Sequence, residues 1–288
     1  MRKNQFIEKV IHGIFLLLGL ITVGCVLLIT VYLVISGIPA IREIGLIDFL
    51  FGKEWASTAE EPKYGILPFI LTSVYGTAGA IVIGVPIGFM TAVYLSKLAS
   101  PKVKSTMQSA VSLLAGIPSG VYGLVGMLAL VPGIRKLFSV PDGASLLAAI
   151  IVLAIMILPS IIKMSITALD AVPKEYEDAS LALGATPVET YFRVSVPAAK
   201  SGIAAAVVLG VGRAIGEAMA VMMVAGNAAN MPNSIFQSVR FLTTAVSSEI
   251  SYSGGLQRQA LFSIALVLFL FIMLINAALN FFLKREKE

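Results

Sequence analysis

The sequence predicts an all-α, polytopic membrane protein with six transmembrane helices, and three observations carry that expectation. Of 288 residues, 58% are apolar and only 13% charged, against about 25% charged in a soluble domain. Charge-poor runs long enough to cross a bilayer as helices recur six times along the chain. Basic residues gather in alternate loops between those runs, which is a topology signal. A mean hydropathy of +0.93 excludes an ordinary cytosolic enzyme and a disordered chain. One cysteine, Cys25, and one histidine, His12, exclude a disulfide scaffold and a zinc site. The net charge of +5 is scattered over short loops, so it is not a nucleic-acid footprint.

The spans follow in order. The first runs from Val10 to Ile41; its apolar length far exceeds a signal-peptide core, so it reads as a retained anchor. The second runs from Tyr64 to Ser96 and the third from Ser105 to Ile134. Both are long enough to tilt or to carry an interfacial piece, but too short to cross twice. The fourth, Gly143 to Ile162, is the shortest, with a re-entrant segment as its alternative. The fifth lies between Lys200 and Arg240 and is interrupted only by Arg213 and Glu217, and the sixth runs from Gln259 to Leu283.

Orientation follows from the lysines and arginines. Arg2, Lys3 and Lys9 precede the first span, Lys97, Lys102 and Lys104 follow the second, and Lys284, Arg285 and Lys287 follow the sixth. In the 42–63 loop, Arg42, Lys53 and Lys63 are balanced by Glu43, Asp48, Glu54, Glu60 and Glu61. The positive-inside rule therefore puts both termini in the cytoplasm. The expected organisation is a cytoplasmic N-terminus (1–9) and one transmembrane domain (10–288), with an external loop at 42–63 and a cytoplasmic loop at 163–200. The only tryptophan, Trp55, lies in the external loop. It reads as part of an interfacial aromatic belt, or else as a contact for an extracytoplasmic partner.

The cytoplasmic loop mixes both charges and is well punctuated. Pro173 suits a first helical turn, and Gly184 suits the position just past a helix end. Thr186, Pro187 and Glu189 make a capping box that starts a second short helix, which Pro197 stops. Tyr176, Ala179 and Leu183 recur at helical steps and form one apolar stripe on a charged helix. A stripe with no core of its own needs a partner surface, and the many acids favour protein over anionic lipid.

These residues also resemble a family. Membrane subunits of bacterial binding-protein-dependent ABC importers carry a cytoplasmic loop of pattern E-A-A, three residues, Gly, nine residues, I-x-L-P. This chain reads Asp178-Ala179-Ser180, three residues, Gly184, nine residues, Val194-Ser195-Val196-Pro197. The resemblance implies an importer-permease architecture of the MetI-like type. It also implies that Tyr176, Asp178, Ala179, Ser180, Leu183, Gly184 and Pro197 belong to a coupling helix that docks on a cytoplasmic ATPase dimer.

Arg213 stands about 20 Å above Lys200, at mid-membrane, if the fifth span is helical. An arginine at that depth costs about 2.5–3.5 kcal/mol on insertion scales, so it must face protein or water. A spacing of four puts Glu217 on its face, with Ala206, Gly210 and Ala220. Three roles are open: structural glue, a proton relay, or a transient site for an anionic substrate, whose oxygens suit the guanidinium fork. The stretch Gly212-Arg213-Ala214-Ile215-Gly216-Glu217-Ala218-Met219-Ala220-Val221 resembles the fifth span of PstC-type permeases of phosphate ABC importers. The external residues Phe51, Trp55 and Tyr64-Gly65-Ile66-Leu67-Pro68-Phe69 are similar to that family too, as is Gly116-Ile117-Pro118-Ser119-Gly120-Val121-Tyr122-Gly123. The resemblance implies that Arg213 and Glu217 lie on a phosphate path. It further implies a second homologous permease and an extracytoplasmic phosphate-binding protein as partners. Another oxyanion, a proton-coupled carrier using Glu217, and a scaffold without flux are the competing readings.

The glycines around Pro118 either break the helix or allow close packing; Gly84–Gly88 and Gly212–Gly216 read first as packing pairs. The chain has no G-x-x-x-x-G-K-[ST] loop, and its one histidine and one cysteine leave no nucleophile–base set. The expectation is a passage without cofactor or catalytic residues, powered by a separate chain.

Overall fold

The computed structural model describes residues 2–285. Of the basic residues used for orientation, Lys287 lies outside the described residues. Helix α1 (Arg2–Ile44) leads into a short α2 (Leu46–Phe51) and an antiparallel pair, β1 (Trp55–Ala56) with β2 (Lys63–Tyr64). Helix α3 (Leu67–Val93) continues through a π-type turn to Leu98. Then come α4 (Pro101–Gly116), α5 (Ser119–Val125), a second π-type turn (Gly126–Leu130) and α6 (Val131–Phe138). Helix α7 (Leu146–Asp170) is followed by α8 (Lys174–Ala182), α9 (Pro187–Thr190), a third π-type turn (Tyr191–Ser195) and α10 (Val196–Ala198). The chain closes with α11 (Lys200–Gly216), α12 (Met219–Val224), α13 (Leu242–Glu249) and α14 (Gly255–Arg285).

Among the described residues, five helical segments are long and apolar enough to cross a membrane. A sixth is formed if 187–198 and 200–216, bent by 71° at Ala199, make one span. Helix α7 is the hub: Leu153, Met156, Ile157 and Ile161 are buried where α3 and α11 pack on it. Apolar side chains gain little from leaving lipid for protein, so close approach is what holds such helices together. Gly84 and Gly88 supply it, as expected. A Cβ at Gly84 would stand 2.7 Å from Ile157 Cδ1, and one at Gly88 2.9 Å from Ile161 Cγ2. Gly210 of α11 meets the same Ile161 from the other side.

Three expectations need correction. The third stretch is not one helix. It breaks at Ile117–Pro118, both extended, so the span is 119–138 and α4 is a separate helix before it. Proline lacks the N–H for the helical ladder and pushes its predecessor out of the α region. The fourth helix runs past Ile162 to Asp170, because Lys163 points off the packed face and does not end the winding. The fifth stretch is helical only to Gly216 and again over α12, and beyond Val224 it is irregular as far as Phe241.

Trp55 is 9% exposed, meets Tyr64 edge-on and Phe69 at a tilt with ring centroids 5.6 Å away in each case, and donates from Nε1 to Glu249 Oε2 at 3.3 Å. It is the core of a small cap built from the 42–66 segment, α13 and the start of α14.

Candidate functional site

Two places carry the residues singled out by sequence. The first is the polar helical pair. Thr186 and Glu189 form the expected box: Glu189 N–H donates to Thr186 Oγ1 at 3.3 Å and Thr186 N–H to Glu189 Oε2 at 3.0 Å. The Thr186 backbone N–H, and after it the hydroxyl, hold the Glu189 carboxyl below its ordinary pKa. Gly184 turns the chain at φ +88°, a left-handed conformation that costs glycine nothing. Pro197 sits in the last helical turn before the 71° bend.

The apolar stripe stands clear of the rest of the chain. Leu183 is 89% exposed, Tyr176 54%, and Ala179 and Asp178 are exposed beside them. The opposite face of α8 is tied down. Ser180 shares a hydrogen bond of 2.9 Å with Thr190. Glu177 Oε1 lies 2.6 Å from Lys97 Nζ and accepts the Ser195 hydroxyl at 2.8 Å. A second pair, Lys104 with Asp170 at 2.8 Å, binds α4 to the end of α7. Sequence reasoning missed this anchor, because the partners of Glu177, Lys97 and Ser195, lie on other elements.

The second place is Arg213. The expected i, i+4 pairing with Glu217 does not form, because the helix ends between them. Gly216 closes α11, and Glu217 is extended at φ −74°, ψ 128°. Its side chain turns the other way and accepts Ala220 N–H at 3.1 Å, capping α12, while its carbonyl accepts the Thr243 hydroxyl at 2.8 Å. Ala206 and Gly210 keep helical spacing with Arg213 on α11 but are buried against other helices, while Glu217 and Ala220 lie beyond the break, so the expected open face of small residues does not form. Arg213 is half-buried and makes no hydrogen bond or salt bridge with any described residue. It opens into a cleft of about 650 Å³ lined by Ser160, Val208, Leu209, Gly212, Arg213 and Asn276. Gly212 and Gly216 are not packing glycines, since nothing lies within 4 Å of a Cβ at either.

Beyond the break, α12 packs on α5. A Cβ at Gly123 would stand 2.9 Å from Ala220 Cα, and one at Gly126 2.7 Å from Val224 Cγ1. The glycine segment thus both breaks a helix and packs closely.

The chain matches the family described as binding-protein-dependent transport system inner membrane component over residues 84–287. It is 40% identical over 266 residues to a probable ABC transporter permease protein, YqgH, of Bacillus subtilis, covering 90% of this chain and 86% of that one. It is 35% identical to the phosphate transport system permease protein PstC of Haemophilus influenzae, over 89% of this chain and 86% of that one. Among solved structures, a chain of the inward-facing MetNI methionine ABC transporter superposes with a TM-score of 0.58. That match has 21% identity and covers 77% of this chain and 94% of that one, so it speaks to the fold alone.

Proposed function

Because this chain belongs to the family of binding-protein-dependent transport system inner membrane components, we propose that it carries inorganic phosphate inward across the cytoplasmic membrane. It is a membrane-spanning permease subunit of an ATP-driven importer and is itself no enzyme, so hydrolysis falls to a separate ATPase. The observation that carries the substrate is Arg213, a guanidinium in a cleft with no hydrogen bond or salt bridge to any described residue, in a chain related to phosphate permeases. A planar fork of donors suits an oxyanion.

In this reading the ATPase dimer docks on the stripe of Tyr176, Ala179 and Leu183, with Asp178, Ser180, Gly184 and Pro197 shaping the same short helices. A second homologous permease stands beside this one, and an extracytoplasmic phosphate-binding protein delivers the ion. Both termini face the cytoplasm. Residues 10–288 form one transmembrane domain after the 1–9 segment, with the external loop at 42–63 and the cytoplasmic loop at 163–200. ATP-driven approach of the two coupling regions opens the path outward. Arg213 holds the ion in passing, and hydrolysis resets the inward state. Glu217 serves the path by shaping it, since its carboxylate holds the start of α12. That engagement also weighs against a proton-coupled carrier built on Glu217.

The test is phosphate uptake by Arg213→Ala in the assembled complex. Uptake should be lost while both permeases and the ATPase still co-purify; normal uptake would remove the substrate role. Competition by sulfate and molybdate separates a permease for another oxyanion. Uptake driven by a pH gradient without ATP would establish the carrier instead.

A further inference from the structure

Three polar side chains from three separate spans open into the Arg213 cleft. Ser160 comes from α7, Arg213 from α11 and Asn276 from α14, while the other wall residues are apolar or glycine. All three are half-buried, and none makes a hydrogen bond with another described residue. Several helical hydroxyls of this chain return to the carbonyl four residues back, as those of Thr22, Thr30, Thr91, Ser109 and Thr167 do. Ser160 does not, and neither its hydroxyl nor the Asn276 amide has a partner among the described residues. At membrane depth a polar group without a partner is costly unless the cavity supplies one.

We propose that Ser160 and Asn276 complete, with Arg213, a single site for a hydrogen-bearing tetrahedral oxyanion. The proposal rests on the reading of Arg213 given above. Arg213 supplies the positive charge and parallel donors, and it cannot accept a proton. Ser160 and Asn276 stand on the facing helices and can both donate and accept. Phosphate at neutral pH still carries at least one O–H, which needs an acceptor; sulfate carries none. The hydroxyl and the amide oxygen are the groups in this cleft that can take that proton. Gly212 keeps the approach to the guanidinium open, since a side chain there would stand in the cleft.

The test uses the assembled complex in lipid nanodiscs and the arginine reagent phenylglyoxal, with modification at Arg213 followed by peptide mass spectrometry. Inorganic phosphate should protect Arg213, and sulfate should protect it poorly. Asn276→Leu and Ser160→Ala should each raise the half-protecting phosphate concentration about tenfold, the loss of one hydrogen bond to a charged group. Asn276→Gln and Ser160→Thr should recover most of it, and all variants should co-purify with their partners. Unchanged protection in both Asn276→Leu and Ser160→Ala would overturn the proposal. So would an Arg213 that reacts only after the permeases are separated, since the cleft would then be a subunit contact. Phosphate uptake by the same unsubstituted complex keeps the two readings apart. Uptake without protection sinks the site alone, whereas no uptake sinks the proposed function.

Discussion

Replacing Lys97 by Met should loosen α8 from the membrane helices without touching the exposed stripe. Lys97 and Glu177 are 2.6 Å apart, with side chains 10% and 17% exposed, and the Ser195 hydroxyl donates to the same carboxylate oxygen. Removing the cation leaves a largely buried carboxylate with one neutral donor. Breaking a buried pair from one side costs about 3–5 kcal/mol, and the remaining exposure places this one at the lower end, about 3 kcal/mol. At about 1.4 kcal/mol per decade, the closed position of α8 loses about two decades of preference. Amide hydrogen exchange on the nanodisc-embedded complex reads this directly. Protection over 177–183 should fall about a hundredfold, and ATP hydrolysis should persist with little uptake. The double variant Lys97→Met, Glu177→Leu should regain much of the protection, because an apolar pair needs no partner charge. If Lys97→Met changes exchange by less than about threefold, the ion pair is not what holds α8, and the reasoning fails.

Three further outcomes follow from geometry already described. Gly143→Ala should lower the thermal unfolding midpoint in detergent well below that of Gly133→Ala. Its Cβ would stand 1.9 Å from the Val131 carbonyl oxygen, whereas nothing lies within 4 Å at Gly133; equal midpoints would contradict this. Glu189, with its pKa depressed by the Thr186 N–H, contributes to the start of α9 above the unfolded carboxylate pKa. That contribution should disappear as pH falls through the lower folded value, and Thr186→Ala should abolish the pH dependence of the protection factors, exchange relative to the unstructured rate, over 188–191. Trp55 is the sole fluorophore of its kind and is buried against Tyr64 and Phe69. Its emission should therefore be blue-shifted and should move red in Glu249→Ala, which removes the Nε1 acceptor; an emission maximum unmoved by that change would place Trp55 outside the cap.

What could be read from sequence and what could not divide along a physical line. The capping box at Thr186–Glu189 and the left-handed turn at Gly184 depend on neighbours in the chain, and they stand where they were expected. The stripe at Tyr176, Ala179 and Leu183 was legible for the same reason. Three of the charge-free runs, by contrast, break or end elsewhere, because Pro118 in one and tertiary packing in the other two decide where the winding stops. The Arg213–Glu217 pair was misread because a spacing of four implies one face only if the winding continues, and here it stops at Gly216. Gly216 permits that stop but does not by itself require it. The stop is held by Thr243, twenty-six residues away, whose hydroxyl takes up the Glu217 carbonyl. The packing of Trp55 was illegible on the same grounds: its partners Phe69 and Glu249 lie on other elements. Ser160 and Asn276 were legible only as polar residues in apolar runs, and their meeting with Arg213 is a product of the packing of three helices.

The contrast within the fifth span bears on why the chain keeps an arginine there. At the break, the carboxylate and the carbonyl of Glu217 find partners inside the chain. Glu217 caps α12, Thr243 satisfies the exposed carbonyl, and Gly123 lets α12 settle against α5. One turn below, the accounting is left open, with Arg213, Ser160 and Asn276 each lacking a partner among the described residues. A pair serving only to pin helices would show the first pattern in both places, since an unpaired cation at that depth weakens the fold it is meant to hold. The break therefore separates a closed, structural half of the span from an open half. The open half has room for a partner from outside this chain, and under the proposed function that partner is a passing oxyanion.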